Sequence, residues 1–98
     1  MTSLSSLSAV KKAIKSNPKV VLEFYATWCG ACDAMKPEYS KLNKKTPGVR
    51  FYKVDVDKAT EATDEYDVNA MPTFIYFKNG KKVGTYVGDI DSLKKALK

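Results

Sequence analysis

The run Val20-Val21-Leu22-Glu23-Phe24-Tyr25-Ala26 constrains this chain more than any other feature. It shows no polar alternation, contains β-branched residues, and has the length of a strand rather than a helix. Such a run reads as a strand buried on both faces, and so as a central strand of a sheet with a layer above and a layer below. One carboxylate, Glu23, interrupts it. A chain of 98 residues has room for one such core, so a single domain spanning residues 1–98 is expected.

The segments around that strand supply the layers. Leu7, Val10 and Ile14 recur at helical spacing between lysines, and Asn17-Pro18 ends that helix near Lys15. Thr27 to Ala31 reads as a turn. A helix from Cys32 to Lys45 follows, with Met35, Tyr39 and Leu42 along one face and a kink expected at Pro37. Strands are expected at Val49–Val56 and Thr73–Phe77, with a short helix at Ala59–Tyr66 between them. Asn79-Gly80 signals a tight hairpin into an antiparallel strand, Lys82–Val87. A helix over Ser92–Leu97, capped by Asp91 or Asp89, closes the chain. The order α-β-α-β-α-β-β-α predicts an α/β fold: a mixed sheet of four to five strands with helices on both faces.

Charge narrows the partners. The chain has 17 basic and 11 acidic residues, no histidine, and a formal net charge of +6. Lysines are spread along the whole chain and Arg50 is the one arginine. Groove readers favour the planar arginine fork, so this pattern counts against nucleic acid and suggests a soluble surface suited to acidic protein partners. No apolar run approaches the roughly 20 residues a membrane span needs. The first residues, Met1 to Leu7, lack the basic and apolar regions of a secretory signal, so a cytoplasmic location is expected, with a serine-rich transit peptide as the weaker reading.

The chemistry sits on two cysteines. Cys29 and Cys32 form one Cys-x-x-Cys, placed after the buried strand and at the opening of a helix. Two cysteines in one short loop cannot staple a fold. A helix N-terminus offers unpaired N–H groups and the positive end of the helix dipole, which stabilise a thiolate, and the thiolate is the nucleophile in disulfide exchange. Cys29 is expected to attack, and Cys32, one turn further in and more buried, to resolve the mixed disulfide. Gly30 would permit a tight backbone between them. A pair of passive core cysteines, or half of a zinc site, is the competing reading. Zinc wants four ligands, and this chain has no histidine and no third cysteine, so no metal is expected.

Several segments carry a family resemblance. Phe24-Tyr25-Ala26-Thr27-Trp28-Cys29-Gly30-Ala31-Cys32 resembles the active-site segment of thioredoxins. Lys53-Val54-Asp55-Val56-Asp57, Met71-Pro72-Thr73-Phe74, Phe77-Lys78-Asn79-Gly80 and Val87-Gly88 match that family in order and spacing, from about Pro18 to the C-terminus. The N-terminus is short for the family and is expected to lack its first edge strand. The resemblance implies a protein-disulfide reductase of cell redox homeostasis. Glu23 stands where the family has a buried aspartate, so it would relay a proton to and from Cys32, unless it snorkels to solvent. Lys53 would lie near that carboxylate. Pro72 would be the family's cis-proline. Trp28, Gly30, Ala31, Ala70, Met71, Pro72, Val87 and Gly88 would form the substrate-contact surface, with Met71 offering a backbone edge and Gly88 leaving room for a target backbone.

The resemblance also implies partners. No cofactor binds the chain itself, which has no Gly-rich dinucleotide fingerprint. Electrons would come from NADPH through a separate thioredoxin reductase. Targets would be disulfide-containing proteins such as peroxiredoxins or reductases, met by a monomer. A disulfide oxidase or isomerase, a module bridging an iron–sulfur cluster through Cys29 of two chains, and a redox-silent adaptor are the alternatives. Ala31 departs from the family, which carries proline there. Alanine keeps an N–H beside the thiolate and relaxes the loop, which would favour the dithiol and raise the potential above the roughly −270 mV that serves as a general reference for a thioredoxin.

Overall fold

A computed structural model describes residues 1–98. The apolar run forms β2, Lys19–Tyr25, and its lack of alternation is explained by its place: both faces of the strand are covered. β1 is Thr2–Leu4, β3 Arg50–Asp55, β4 Thr73–Lys78 and β5 Lys81–Val87. They form one sheet in the order β1-β3-β2-β4-β5. β2 runs parallel to β3, with Glu23 beside Lys53 and Tyr25 beside Asp55. It runs antiparallel to β4, with Lys19 opposite Lys78 and Phe24 opposite Thr73.

The helices are α1, Leu7–Ser16; α2, Gly30–Lys45; α3, Thr60–Glu65; and α4, Ile90–Ala96. Side chains alternate across β2 and divide the interior in two. Val20, Leu22 and Phe24 join Val10 and Ile14 of α1 and Ala62 of α3 in one core. Val21 joins Tyr39 of α2, Phe51, Phe74 and Leu93 of α4 in the other. Tyr39 anchors α2 to the sheet, donating its hydroxyl hydrogen to the Tyr52 carbonyl at 2.8 Å. Burial pushes its phenol pKa well up, so that hydroxyl remains a donor.

Several expectations are corrected. The N-terminus does not lack the edge strand: β1 pairs parallel with β3, Thr2 beside Tyr52. Three residues, two of them polar, carry no periodic signal, and their pairing lies about fifty residues away. α2 opens at Gly30 rather than Cys32, because Cys29 acts as its N-cap. Pro37 lies inside it, where the sequence pattern placed it. Proline removes the donor to the carbonyl four residues back, that of Asp33, an exposed residue near the helix start. Of the two caps offered for α4, Asp89 is the one that accepts from the Ser92 N–H, at 3.0 Å.

Candidate active site

The site is built where β2 runs out. Its last residues turn through Thr27 and Trp28 into Cys29, whose Sγ accepts the Cys32 N–H at 3.1 Å. A cysteine thus occupies the N-cap position that Ser, Thr, Asp or Asn usually fills. Cys29 and Cys32 are joined in a disulfide. Both are buried, at 8% and 5% exposure, so the expected difference between them is small in the oxidised state. The helix dipole and the free amides of the first turn of α2 point at the Cys29 sulfur.

Opposite the disulfide lies the loop before β4. The Met71-Pro72 bond is cis, and the Met71 carbonyl oxygen stands 3.7 Å from Cys29 Sγ. Gly88 follows β5 and donates its N–H to the Pro72 carbonyl at 2.8 Å, which ties the two loops together. Its φ is +62°, and the space a Cβ would take is open. Gly30 differs from expectation: it is the first residue of α2 and has no positive φ, so the tight backbone there does not require glycine. Trp28 is 68% exposed and Val87 58%, and both stand at this rim. Ala31 and Ala70 are also exposed, while Met71 is half-buried.

Behind the disulfide, Glu23 is only 2% exposed. It shares the β2 face of Val21, the face that α2 covers. A pocket of about 230 Å³ is lined by Glu23, Cys32, Asp33, Lys36, Lys53 and Tyr25, among others. Burial is the main cause that lifts the Glu23 pKa to about 7, against the pull of Lys53 and then Lys36. The snorkelling alternative does not describe this side chain. Lys53 is close but makes no ion pair with it; its Nζ lies 4.2 Å from the centre of the Tyr25 ring.

Sequence reasoning missed three contributors. Asp57 accepts the Trp28 indole N–H at 2.8 Å and so orients the exposed ring. Lys36 and Asp33 line the Glu23 pocket. Asp33 and Lys36 follow Cys32 on α2, and a helical projection from that cysteine would have placed Lys36 on its face; the Asp57 contact crosses 29 residues and had no local signal.

The family model described as Thioredoxin matches residues 3–98. The chain is 42% identical, over 99 aligned positions, to mitochondrial thioredoxin-3 of Saccharomyces cerevisiae, covering 100% of this chain and 78% of that protein. The chain belongs to the thioredoxin family. The crystal structure of oxidised mitochondrial thioredoxin 3 from the same yeast superposes with a TM-score of 0.94 at 41% identity, covering 99% of this chain and 92% of that one. A second structure, reported as the basis of thiol resolution in a yeast mitochondrial 1-Cys peroxiredoxin by the glutathione and thioredoxin systems, holds a chain with a TM-score of 0.94 and 40% identity, at the same coverage. The thioredoxin fold and its redox disulfide make this chain a protein-disulfide oxidoreductase acting on disulfide-containing targets. No cluster of three or more His, Cys, Asp or Glu is placed to hold a metal ion, and no helix is long and apolar enough to cross a membrane.

Proposed function

We propose that residues 1–98 act as one thioredoxin domain that reduces protein disulfides with Cys29 as nucleophile and Cys32 as resolving thiol. The observation that carries this reading is the Cys29–Cys32 disulfide at the head of α2, with the buried Glu23 in the pocket behind it. The Cys29 thiolate attacks one sulfur of a target disulfide, and the other leaves as a thiolate. Glu23 takes the proton of Cys32 through the pocket. Cys32 then attacks Cys29 Sγ and displaces the second target sulfur. Two electrons have passed to the target, and the Cys29–Cys32 bond has formed. Lys53 acts on Glu23 by its charge. A carboxyl with a pKa near 7 can both accept and return that proton near neutral pH.

Trp28, Gly30, Ala31, Ala70, Met71, Pro72, Val87 and Gly88 form the contact surface in this reading. Its support is the exposed Trp28 and Val87 and the open backbone at Gly88. The oxidised pair is returned to the dithiol by NADPH through a thioredoxin reductase, which makes the chain an electron carrier in cell redox homeostasis. The matched chain in a peroxiredoxin study favours peroxiredoxins among the targets, beside reductases that pass through a disulfide. The protein works as a cytoplasmic monomer, in a compartment that keeps thiols reduced.

Insulin-disulfide reduction driven by dithiothreitol tests the core of this reading. Wild type accelerates insulin precipitation, and Cys29→Ser falls to the dithiothreitol background. Cys32→Ser accumulates a mixed disulfide with its target. A Cys29→Ser variant as active as wild type would sink the reading.

A further inference from the structure

α2 and α4 run the same way along the sheet. α2 leaves the dithiol end of β2 and returns to the start of β3; α4 follows β5, whose last residue, Val87, pairs with Thr73 at the dithiol end. Both helices pack on one face, where Tyr39 and Leu93 share a core. Their C-terminal halves therefore come together at the end of the sheet that carries Lys19, Arg50, Lys78 and Lys81. Between them lies a groove of about 570 Å³. Leu42 and Leu97, both half-buried, give it an apolar base, and Lys41, Lys45, Lys94 and Lys98 surround them. The methylene stems of those lysines extend the apolar lining while their amines stay in water.

The charge of this groove is not cancelled from within. Glu38, the one acidic residue in the lining, is held by Lys94 at 2.8 Å, and Lys94 also reaches Asp91 at 3.9 Å. Lys41 and Lys45, one turn apart on α2, form no ion pair. Four lysines against two side-chain carboxylates leave the groove positive. The dipoles of the two helices favour cations at their ends. They do not call for an apolar base between the cations, and Lys41 stands before the last turn of α2. That helix is closed by Thr46, whose hydroxyl donates to the Leu42 carbonyl at 2.8 Å. β2 has seven residues, so this end of the sheet stands about 20 Å from the dithiol end. That is more than twice the Debye length of about 8 Å at physiological salt, so an occupant of the groove leaves the dithiol free.

We propose that the groove between α2 and α4 docks an acidic protein segment that carries one bulky apolar side chain. The segment's carboxylates meet Lys41, Lys45 and the other lysines of the rim, and its apolar side chain enters against Leu42 and Leu97. The cavity falls within the range of about 300–1,000 Å³ in which proteins hold small ligands. A phosphate backbone or a flat anionic bilayer would meet the lysines and leave the recessed apolar base unused. The groove is separate from the contact surface around the dithiol, and the inference does not depend on the reductase reading.

A capped synthetic peptide, one leucine between two pairs of glutamates, is titrated into the isotope-labelled full chain while the amide resonances are followed. Saturable binding is expected, with shifts centred on Leu42 and Leu97. It should be about 10-fold tighter than binding of the same peptide with serine in place of leucine. Affinity falls as salt is raised. Lys41→Gln with Lys45→Gln weakens binding at least about 3-fold. Lys12→Gln with Lys15→Gln removes the same charge from α1, which packs on the other face of the sheet, and leaves binding unchanged. No saturable binding, equal affinity for the serine peptide, or an equal loss from the Lys12 and Lys15 pair would overturn the inference. So would tighter binding, through the same lysines, of a single-stranded oligonucleotide or of phosphatidylserine vesicles. None of these outcomes touches the reductase reading, which insulin reduction tests by itself.

Discussion

At one end of the sheet the central strands begin or end on Lys19, Arg50, Lys78 and Lys81; at the other, the same strands lead into Asp55, the dithiol and Asp89. The basic end is solvated, with Lys19, Lys78 and Lys81 all exposed. The dithiol end places a carboxylate, Glu23, at 2% exposure. One end tolerates like charges because water screens them. The other holds a buried carboxyl whose proton is bound tightly enough, in the proposed mechanism, to be exchanged near neutral pH. Stability is lost at both ends, but at the dithiol end the loss is large and tied to chemistry.

The largest effect expected from this contrast is at Glu23. Its pKa is about 4.5 unfolded and about 7 folded, so between those values the native state holds the proton more tightly. Native stability therefore falls as pH rises from about 4.5 through 7, and above that range ionisation costs on the order of 3 kcal/mol. Glu23→Gln carries no such charge. In denaturant titrations of the oxidised protein it should match wild type within about 1 kcal/mol at pH 4 and exceed it by up to about 3 kcal/mol at pH 8. The same variant should slow release of the mixed disulfide, by roughly 100-fold if proton transfer limits that step. A difference that does not grow with pH would remove the burial argument.

Ala31 comes next. It lies in the first turn of α2, where N–H groups lack helical partners, and an alanine there leaves one more donor beside the Cys29 sulfur than a proline would. Ala31→Pro is expected to destabilise the dithiol and lower the potential by about 30 mV, equivalent to about 1.4 kcal/mol. Equilibration with a glutathione buffer measures it; an unchanged or higher potential would detach the redox poise from that amide.

The smallest effect belongs to the basic end. Lys19 and Lys78 are directly opposite on antiparallel strands, and Lys78 also faces Lys81. Lys78→Glu replaces two like-charge neighbours with attractive ones and should add about 0.5 kcal/mol, less in high salt. The thermal midpoint reads it, and insulin reduction should not change. A loss of activity would mean that the two ends are not independent.

Much of this was legible along the chain. The unalternating run of β2, the helix spacing of Leu7, Val10 and Ile14, and Asn79-Gly80 each carry local physics, and the sheet and helices follow them. Glu23 stood out because a carboxylate in an apolar run demands a reason. β1 was not legible, since three residues bonded to a distant strand leave no periodic trace. The Trp28–Asp57 bond and the entry of Lys36 into the Glu23 pocket were hidden for a related reason: each depends on how α2 and the end of β3 come to lie against β2.

By itself the sequence determined the α/β class, the Cys29/Cys32 pair at the mouth of a helix, and the odd carboxylate behind it, because these depend on neighbours within a few residues. Tertiary structure decided how far Glu23 is withdrawn from water and where the charges go. A count along the chain gives +6 and suggests acidic partners. The strand register gathers Lys19, Arg50, Lys78 and Lys81 at the end away from the dithiol, while Lys36 and Lys53 stay beside Glu23 and Cys32. Over about 20 Å in salt water, a net charge says little about the field at one end.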